Sequence, residues 1–166
     1  IAEVASHFAH EIVVNVQGDE PLMNPEVVDQ VARALRYDSD CVMSTACVRK
    51  SDPEELRNPN VVKVVKDRSG RALYFSRAPI PYDRDGQTVE YLKHLGIYAY
   101  RREFLLQFRA LPPSFLETRE KLEQLRALDH GFRIQVVETD HDSIGVDTEE
   151  DFRLVQRQLI RKVPGA

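Results

Sequence analysis

The sequence has 166 residues, 42% of them hydrophobic and 30% charged, with 23 Lys and Arg against 27 Asp and Glu for a formal net charge of −4. This suits one soluble globular domain with a sizeable core, and the dispersed, slightly acidic charge leaves no footprint for nucleic acid or an anionic membrane. No apolar run reaches the ~20 residues of a membrane helix and no signal peptide is visible, so no membrane insertion is expected and the cytoplasm is the expected compartment.

Ile1-Ala2-Glu3-Val4-Ala5 reads as the middle of an amphipathic helix with neither an initiator Met nor a cap, so the sequence reads as a piece of a longer chain. Ile12 to Val16 is a near-continuous apolar run of the kind a buried parallel strand needs, and it drives into Gln17-Gly18-Asp19-Glu20-Pro21. Gly18 frees the backbone, Asp19 and Glu20 offer hard oxygen ligands, and Pro21 ends the ladder. Asn24 caps a helix with Pro25 at its first position and Val27, Val28, Val31 and Leu35 on one face. Cys41 to Val48 is the next strand. On simple alternation its two cysteines share a face, and they read as reduced core residues because they lack zinc or C-x-x-C spacing.

Asp52-Pro53-Glu54-Glu55 starts a short helix that Asn58-Pro59-Asn60 ends, and a turn at Asp67 to Gly70 makes a hairpin of Val61–Lys66 and Arg71–Ser76. Prolines extend Ala78 to Tyr82. Tyr91 to Tyr100 is a strand with Leu95, Ile97 and Ala99 on one side and His94, Gly96, Tyr98 and Tyr100 on the other. Arg101 to Leu111 is a helix stopped by Pro112-Pro113. Ser114 then caps one long helix to Gly131, Phe132 to Glu138 is a strand, and Thr148 with Asp151 has capping-box spacing before a last helix.

Several residues carry possible chemistry beside a plainer reading. The Asp19 loop is either a polar turn after a core strand or a ligand-binding strand end of an open α/β sheet. Asp147 is either a helix cap and dipole partner or a second carboxylate converging with Asp19 on Mg²⁺, which accepts one or two carboxylates plus substrate phosphates. His94 and Tyr98, flanking Gly96, either line a pocket or form an aromatic patch at a subunit contact. Arg77 is either a bidentate clamp for a carboxylate or phosphate or a solvated surface residue. Glu117, Glu120 and Glu123 read as a solvated helix face, the first two pairing with neighbours on their own helix. Glu20 receives no role.

Five blocks in order, Val14-Asn15-Val16-Gln17-Gly18-Asp19-Glu20-Pro21, Ala72 to Pro81, His94-Leu95-Gly96-Ile97-Tyr98, Leu122 to Arg126 and Gly145-Val146-Asp147-Thr148, closely resemble the 3-deoxy-manno-octulosonate (Kdo) cytidylyltransferase family. The resemblance implies an α/β/α sandwich of the nucleotide-diphospho-sugar transferase type with a mainly parallel sheet. It also implies a homodimer built partly by an inserted hairpin region, here 58–100, within the single domain 1–166. It implies the conversion of CTP and Kdo into CMP-Kdo and pyrophosphate, for lipopolysaccharide assembly. Carried over position by position, it makes Asp19 and Asp147 the catalytic Mg²⁺ ligands. Gln17, Arg77, His94, Tyr98, Glu123 and Gln124 match the sugar-acid pocket.

Members of that family begin with a strand and a basic glycine-containing loop that cradles the CTP phosphates, which this sequence does not show. The expectation is therefore the C-terminal two thirds of such an enzyme, inactive alone. Two other readings remain: a cytidylyltransferase for another acidic sugar such as a sialic acid, and a non-catalytic dimerisation or ligand-binding fragment in which the Asp19 loop is structural.

Overall fold

The computed structural model describes residues 1–86, 89–146 and 148–162, which places Asp147 outside the described residues. In chain order the elements are α1 (Ala2–Ser6), β1 (Ile12–Val16), α2 (Pro25–Tyr37), β2 (Cys41–Lys50), α3 (Pro53–Arg57), β3 (Lys63–Lys66), β4 (Ala72–Ser76) and β5 (Tyr91–Arg101). They continue with α4 (Arg102–Phe108), α5 (Phe115–Glu120), α6 (Gln124–Asp129), β6 (Arg133–Glu138) and α7 (Glu149–Lys162). The boundaries follow local chemistry. Asn24 Oδ1 accepts the Glu26 amide ahead of α2, Asp52 Oδ1 accepts from Glu54 and Glu55 ahead of α3, and Ser114 and Glu117 form a reciprocal capping box on α5.

Among the described residues six strands form one sheet in the order β4-β3-β5-β2-β6, with β1 also paired to β5. Among the described strands only β2 and β6 pair in parallel, which corrects the expectation of a mainly parallel sheet. β1, β2 and β6 do point the same way, as the βα rhythm implies, but β5 arrives from the β3–β4 hairpin and inserts antiparallel between β1 and β2. The hairpin tip folds back within the same chain: Arg71 bridges Gln135 on β6, and the Val136 amide donates to the Gly70 carbonyl. Gly70 has φ +81, and a side chain there would collide with Gln135, so both the turn and the close approach require glycine.

The sheet has a core on each face. Val27, Val31 and Leu35 of α2 pack on Ala46, Leu95, Ile97 and Ala99, while Phe104, Leu105, Phe108 and Leu125 pack on Met43, Tyr98, Tyr100 and Ile134. The two faces of β5 therefore divide as alternation implies. On β2 they do not. Register shifts between Cys41 and Met43 and between Thr45 and Ala46 put Cys41 in the α2 core and Cys47 in the opposite one. Both thiols are buried and free, and burial pushes their pKa up to about 12 and about 11 respectively, which keeps them inert.

The expected single helix from Ser114 to Gly131 is two helices at an angle, because Lys121 adopts a left-handed conformation, φ 56 and ψ 45. Tertiary partners override a continuous helical pattern here. Glu120 accepts hydrogen bonds from Ser76 Oγ at 2.7 Å and the Arg77 amide at 2.9 Å, and Glu117 reaches across the break to the guanidinium of Arg126.

Candidate active site

One edge of β5 is shared by two strands. β1 pairs with Ile97 to Arg101 and β3 with Leu92 and Lys93, and the strands part opposite Gly96. The Gln17 amide still reaches the Gly96 carbonyl at 3.3 Å, and the His94 amide reaches the Val62 carbonyl at 2.8 Å. Into this split opens a cavity of about 1110 Å³ lined by Gln17, Asp19, Arg77, His94, Tyr98, Glu123 and Gln124. Every site residue named from the sequence that lies among the described residues thus converges on one space. Gly145 and Thr148, on either side of Asp147, line it as well.

Each lining group is prepared by its neighbours. His94 sits between Phe75, at 5.1 Å between ring centroids, and Tyr98, at 5.4 Å, and its burial lowers the imidazole pKa to about 3, so the ring is neutral. Its Nε2 is 2.8 Å from Thr45 Oγ1, which is itself 2.7 Å from the Ile97 carbonyl. The single hydroxyl proton goes to that carbonyl, so Nε2 carries the ring proton and Nδ1 is left as an acceptor. Tyr98 is buried below its ring, and desolvation, with Tyr100 and Glu123 nearby, raises its phenol well above the ordinary value and keeps it a neutral donor. Gln124 is 5% exposed, and its Nε2 has no protein partner among the described residues. A buried amide donor lining a cavity and lacking a protein partner is available to donate to a molecule in that space.

Arg77 is neither a free surface residue nor an ion-paired one. Nε donates to the Glu120 carbonyl and Nη1 to the Pro59 carbonyl, each at 2.8 Å, and no carboxylate pairs with it among the described residues. The guanidinium is fixed by dipoles, with its charge left available to an anion. Beneath it Lys63, fully buried, donates to the carbonyls of Asn58 (3.1 Å), Val61 (2.5 Å) and Arg77 (2.6 Å), and desolvation lowers its pKa. Sequence reading passes over Thr45 and Lys63 and assigns Glu120 to a solvated helix face, which its bonds to Ser76 and Arg77 correct. A Thr inside a strand, a Lys at the start of one and a Glu on a helix carry no local signal of the carbonyls and amides they organise.

Asp19 is exposed, and its carboxylate has no partner among the described residues, while its carbonyl accepts the Val146 amide at 2.8 Å. Gly18 does not adopt a left-handed backbone, and a side chain on it would meet nothing within 4 Å. The glycine therefore leaves space beside Asp19 rather than permitting a special turn. Glu123 lies at the rim with 64% of its side chain exposed and a weak contact to Arg126 at 3.5 Å, and Glu117, expected on the surface, is 15% exposed and holds Arg126 with both carboxylate oxygens. Among the described residues no group of three or more His, Cys, Asp and Glu gathers to hold a metal, and no helix is long and apolar enough to cross a membrane.

Residues 1–152 match the cytidylyltransferase family model. The chain belongs to this family. It is 52% identical over 158 residues to the 3-deoxy-manno-octulosonate cytidylyltransferase of Solibacter usitatus, an alignment covering 95% of this chain and 63% of that protein. Against the enzyme of the same name from Polynucleobacter necessarius it is 52% identical over 168 residues, covering 97% and 66%. The solved structure of a CMP:2-keto-3-deoxy-manno-octonic acid synthetase complexed with CTP superposes with a TM-score of 0.90 at 38% identity, covering 98% of this chain and 67% of the other. The cytidylyltransferase chain described here therefore has the nucleotide-diphospho-sugar transferase fold of that synthetase, and it spans somewhat less than two thirds of the length of the Solibacter relative.

Proposed function

We propose that this chain forms the sugar-acid and metal-binding part of a 3-deoxy-manno-octulosonate cytidylyltransferase, which joins CTP and Kdo into CMP-Kdo and pyrophosphate to supply lipopolysaccharide assembly. The observation that carries this reading is the cavity at the β1–β3 split. Lining it are a cation and a buried amide donor that have, respectively, no carboxylate partner and no acceptor among the described residues, together with a neutral imidazole acceptor and a phenol. That set matches an acidic, polyhydroxylated sugar: Arg77 pairs with the carboxylate, Gln124 and Tyr98 donate to hydroxyl oxygens, and His94 Nδ1, Gln17 and Glu123 accept hydroxyl protons. The reaction requires an in-line attack by the sugar's anomeric oxygen on the α-phosphorus, forming that P–O bond as the bond to pyrophosphate breaks. These residues hold the nucleophilic oxygen's ring in one orientation, which converts a bimolecular encounter into a positioned one.

Mg²⁺ suits the acidic end of the site, because it accepts one or two carboxylates and completes its shell with water and phosphate oxygens. Asp19, whose carboxylate has no partner among the described residues and which follows an open glycine, is one such ligand, and Asp147, which follows the residue bonded to the Asp19 carbonyl, is the other. When bound, the ion offsets charge on the triphosphate. The protein works as a homodimer in the cytoplasm.

Calorimetric titration of the purified chain with Kdo and with N-acetylneuraminate tests the sugar assignment. Kdo is expected to bind at least about tenfold more tightly, and Arg77→Met to lose that binding, since one charge-assisted pair contributes on the order of a factor of ten or more. Equal affinity for both sugars, or no binding of Kdo, refutes it.

A further inference from the structure

Glu20 neighbours Asp19 and lines the same cavity, yet both of its carboxylate oxygens are already engaged by the protein. Oε1 accepts the Gly96 amide at 3.2 Å, and Oε2 accepts the hydroxyl of Ser143, a residue only 3% exposed. Gly96 stands on β5 between His94 and Tyr98. Ser143 opens the irregular segment whose Val146 amide is bonded to the Asp19 carbonyl at 2.8 Å. One side chain thus ties the acidic loop, the sugar-binding strand and the segment that leads to Asp147.

That segment has no helix or strand to hold it. Its other ties run through Asp142, whose carboxylate receives Lys50 at 2.7 Å and Lys93 at 2.8 Å, and through the Ser143 carbonyl, which accepts Lys93 at 3.0 Å. Burial pushes the Asp142 carboxyl up, but the two lysine hydrogen bonds outweigh it and hold its pKa below the usual range. These ties fix where the segment starts. Among the described side chains Glu20 is the one that fixes how far it stands from the Asp19 loop. Glu20 is packed closely against β5, where a Cβ on Gly96 would lie 3.0 Å from its Oε1, and it reaches van der Waals range of the 143–146 segment, where a Cβ on Gly145 would lie 3.8 Å from the same oxygen.

Resting on the metal reading above, we propose that Glu20 is a positioning residue, neither metal ligand nor base. By bridging Gly96 and Ser143 it sets the separation of the Asp19 loop from the 143–146 segment and so the affinity of the metal site. Geometry, not charge, is the quantity it supplies. A glutamine keeps both legs, its Oε1 accepting the Gly96 amide and its Nε2 donating to Ser143 Oγ, whereas alanine keeps neither.

Amide hydrogen exchange and Mn²⁺ binding by electron paramagnetic resonance, on the wild-type chain and on Glu20→Ala, Glu20→Gln and Ser143→Ala, test this. Glu20→Ala is expected to speed exchange at Gly96 and Val146 and to weaken Mn²⁺ binding, each about tenfold, with the β2–β6 ladder unchanged. Glu20→Gln is expected to restore all three, with Mn²⁺ affinity within about threefold of wild type, the size of a modest loss of nearby charge. Ser143→Ala, which removes one leg only, should speed Val146 alone, and with Glu20→Gln it decides the matter if Glu20→Ala does not fold. A Val146 amide unaffected by Glu20→Ala or Ser143→Ala overturns the positioning role. So does a Glu20→Gln variant with wild-type exchange but Mn²⁺ affinity reduced by more than about tenfold, since a charge effect would then govern. Absence of Mn²⁺ binding by the wild-type chain overturns the metal reading itself, and the positioning role falls with it.

Discussion

Gly96→Ala isolates the geometry of the β1–β3 split in one methyl group. The glycine does not occupy the left-handed region, so alanine meets no backbone strain there; the penalty is contact alone. An added Cβ would lie 2.5 Å from Gln17 Oε1, 3.0 Å from Glu20 Oε1 and 3.1 Å from Glu20 Cγ. All three atoms belong to rotatable side chains, so the sheet survives while Gln17 and Glu20 are driven out of place. Overpacking costs about 1–3 kcal/mol, and a clash relieved by side-chain ends falls near the low limit of about 1 kcal/mol. For a chain of this size that lowers Tm by about 3 °C. The effect on ligand is larger. Losing the Gln17 contact and the Glu20–Gly96 hydrogen bond together should weaken Kdo about tenfold to a hundredfold, at ~1.4 kcal/mol per factor of ten. Scanning calorimetry and titration calorimetry on the same preparation read both numbers. Wild-type affinity for Kdo with an altered Tm would show that neither side chain organises the sugar site, and a fall in Tm beyond about 10 °C would show that the site is not free to yield.

Two further predictions concern charge. Arg126→Met leaves the Glu117 carboxylate, 15% exposed, without its fork and should cost about 2–3 kcal/mol by urea denaturation at pH 7, below the ~3–5 kcal/mol of a fully buried pair. The Arg126 hydrogen bond holds the Glu117 pKa below its ordinary 4.5, so the pair's contribution is complete above that value and is lost as pH falls through the folded pKa; the variant should lack this acid limb. His94 has the reverse character of a base refused its proton. With a folded pKa of about 3 against an ordinary 6.5, the unfolded chain binds a proton in that window and the folded chain does not, so stability falls as pH drops from 6.5 toward 3. The slope is at most about 1.4 kcal/mol per pH unit and should flatten in His94→Gln; an imidazole resonance titrating with a midpoint between about pH 5 and 7 would contradict it.

Much of this was legible in the sequence because it is written in local chemistry. Asn24-Pro25, Asp52-Pro53 and the Ser114/Glu117 box set helix starts, and strand alternation on β5 separates Leu95, Ile97 and Ala99 from His94, Tyr98 and Tyr100. What failed was set at long range. The break at Lys121 answers to Glu120 binding residues 44 and 43 positions away, the opposite facing of the cysteines to bulges on β2, and the reversed β5 to the route of the hairpin. His94, Tyr98 and Arg77 stood out from strand facing and local sequence, whereas Gln17, Glu123 and Gln124 came only through the resemblance; that all six line one cavity is a long-range outcome, and nothing local in the sequence pointed to Thr45, Lys63 or Glu120 as their support.

That asymmetry has a physical source in how the site is made. The cavity lies where β1 and β3 divide one edge of β5 and part at Gly96, so that His94 and Tyr98 of β5 face groups such as Gln17, Asp19 and Arg77 on the loops that leave β1 and β4. Loops have no i→i−4 or cross-strand pattern to fix them, so their backbone groups must be met individually. Lys63 meets three carbonyls under Arg77, Glu120 an amide and a hydroxyl beside it, Thr45 the Nε2 of His94, and Glu20 an amide and a hydroxyl between the acidic loop and Ser143. Charged residues suit this work because hydrogen bonds to an ionised group are about twice as strong as neutral ones. They are also the residues that composition assigns by default to a solvated surface. In a site built at a strand split, an acidic or basic side chain with no partner in its own helix or strand is therefore the first place to look for the support of the ligand-binding groups.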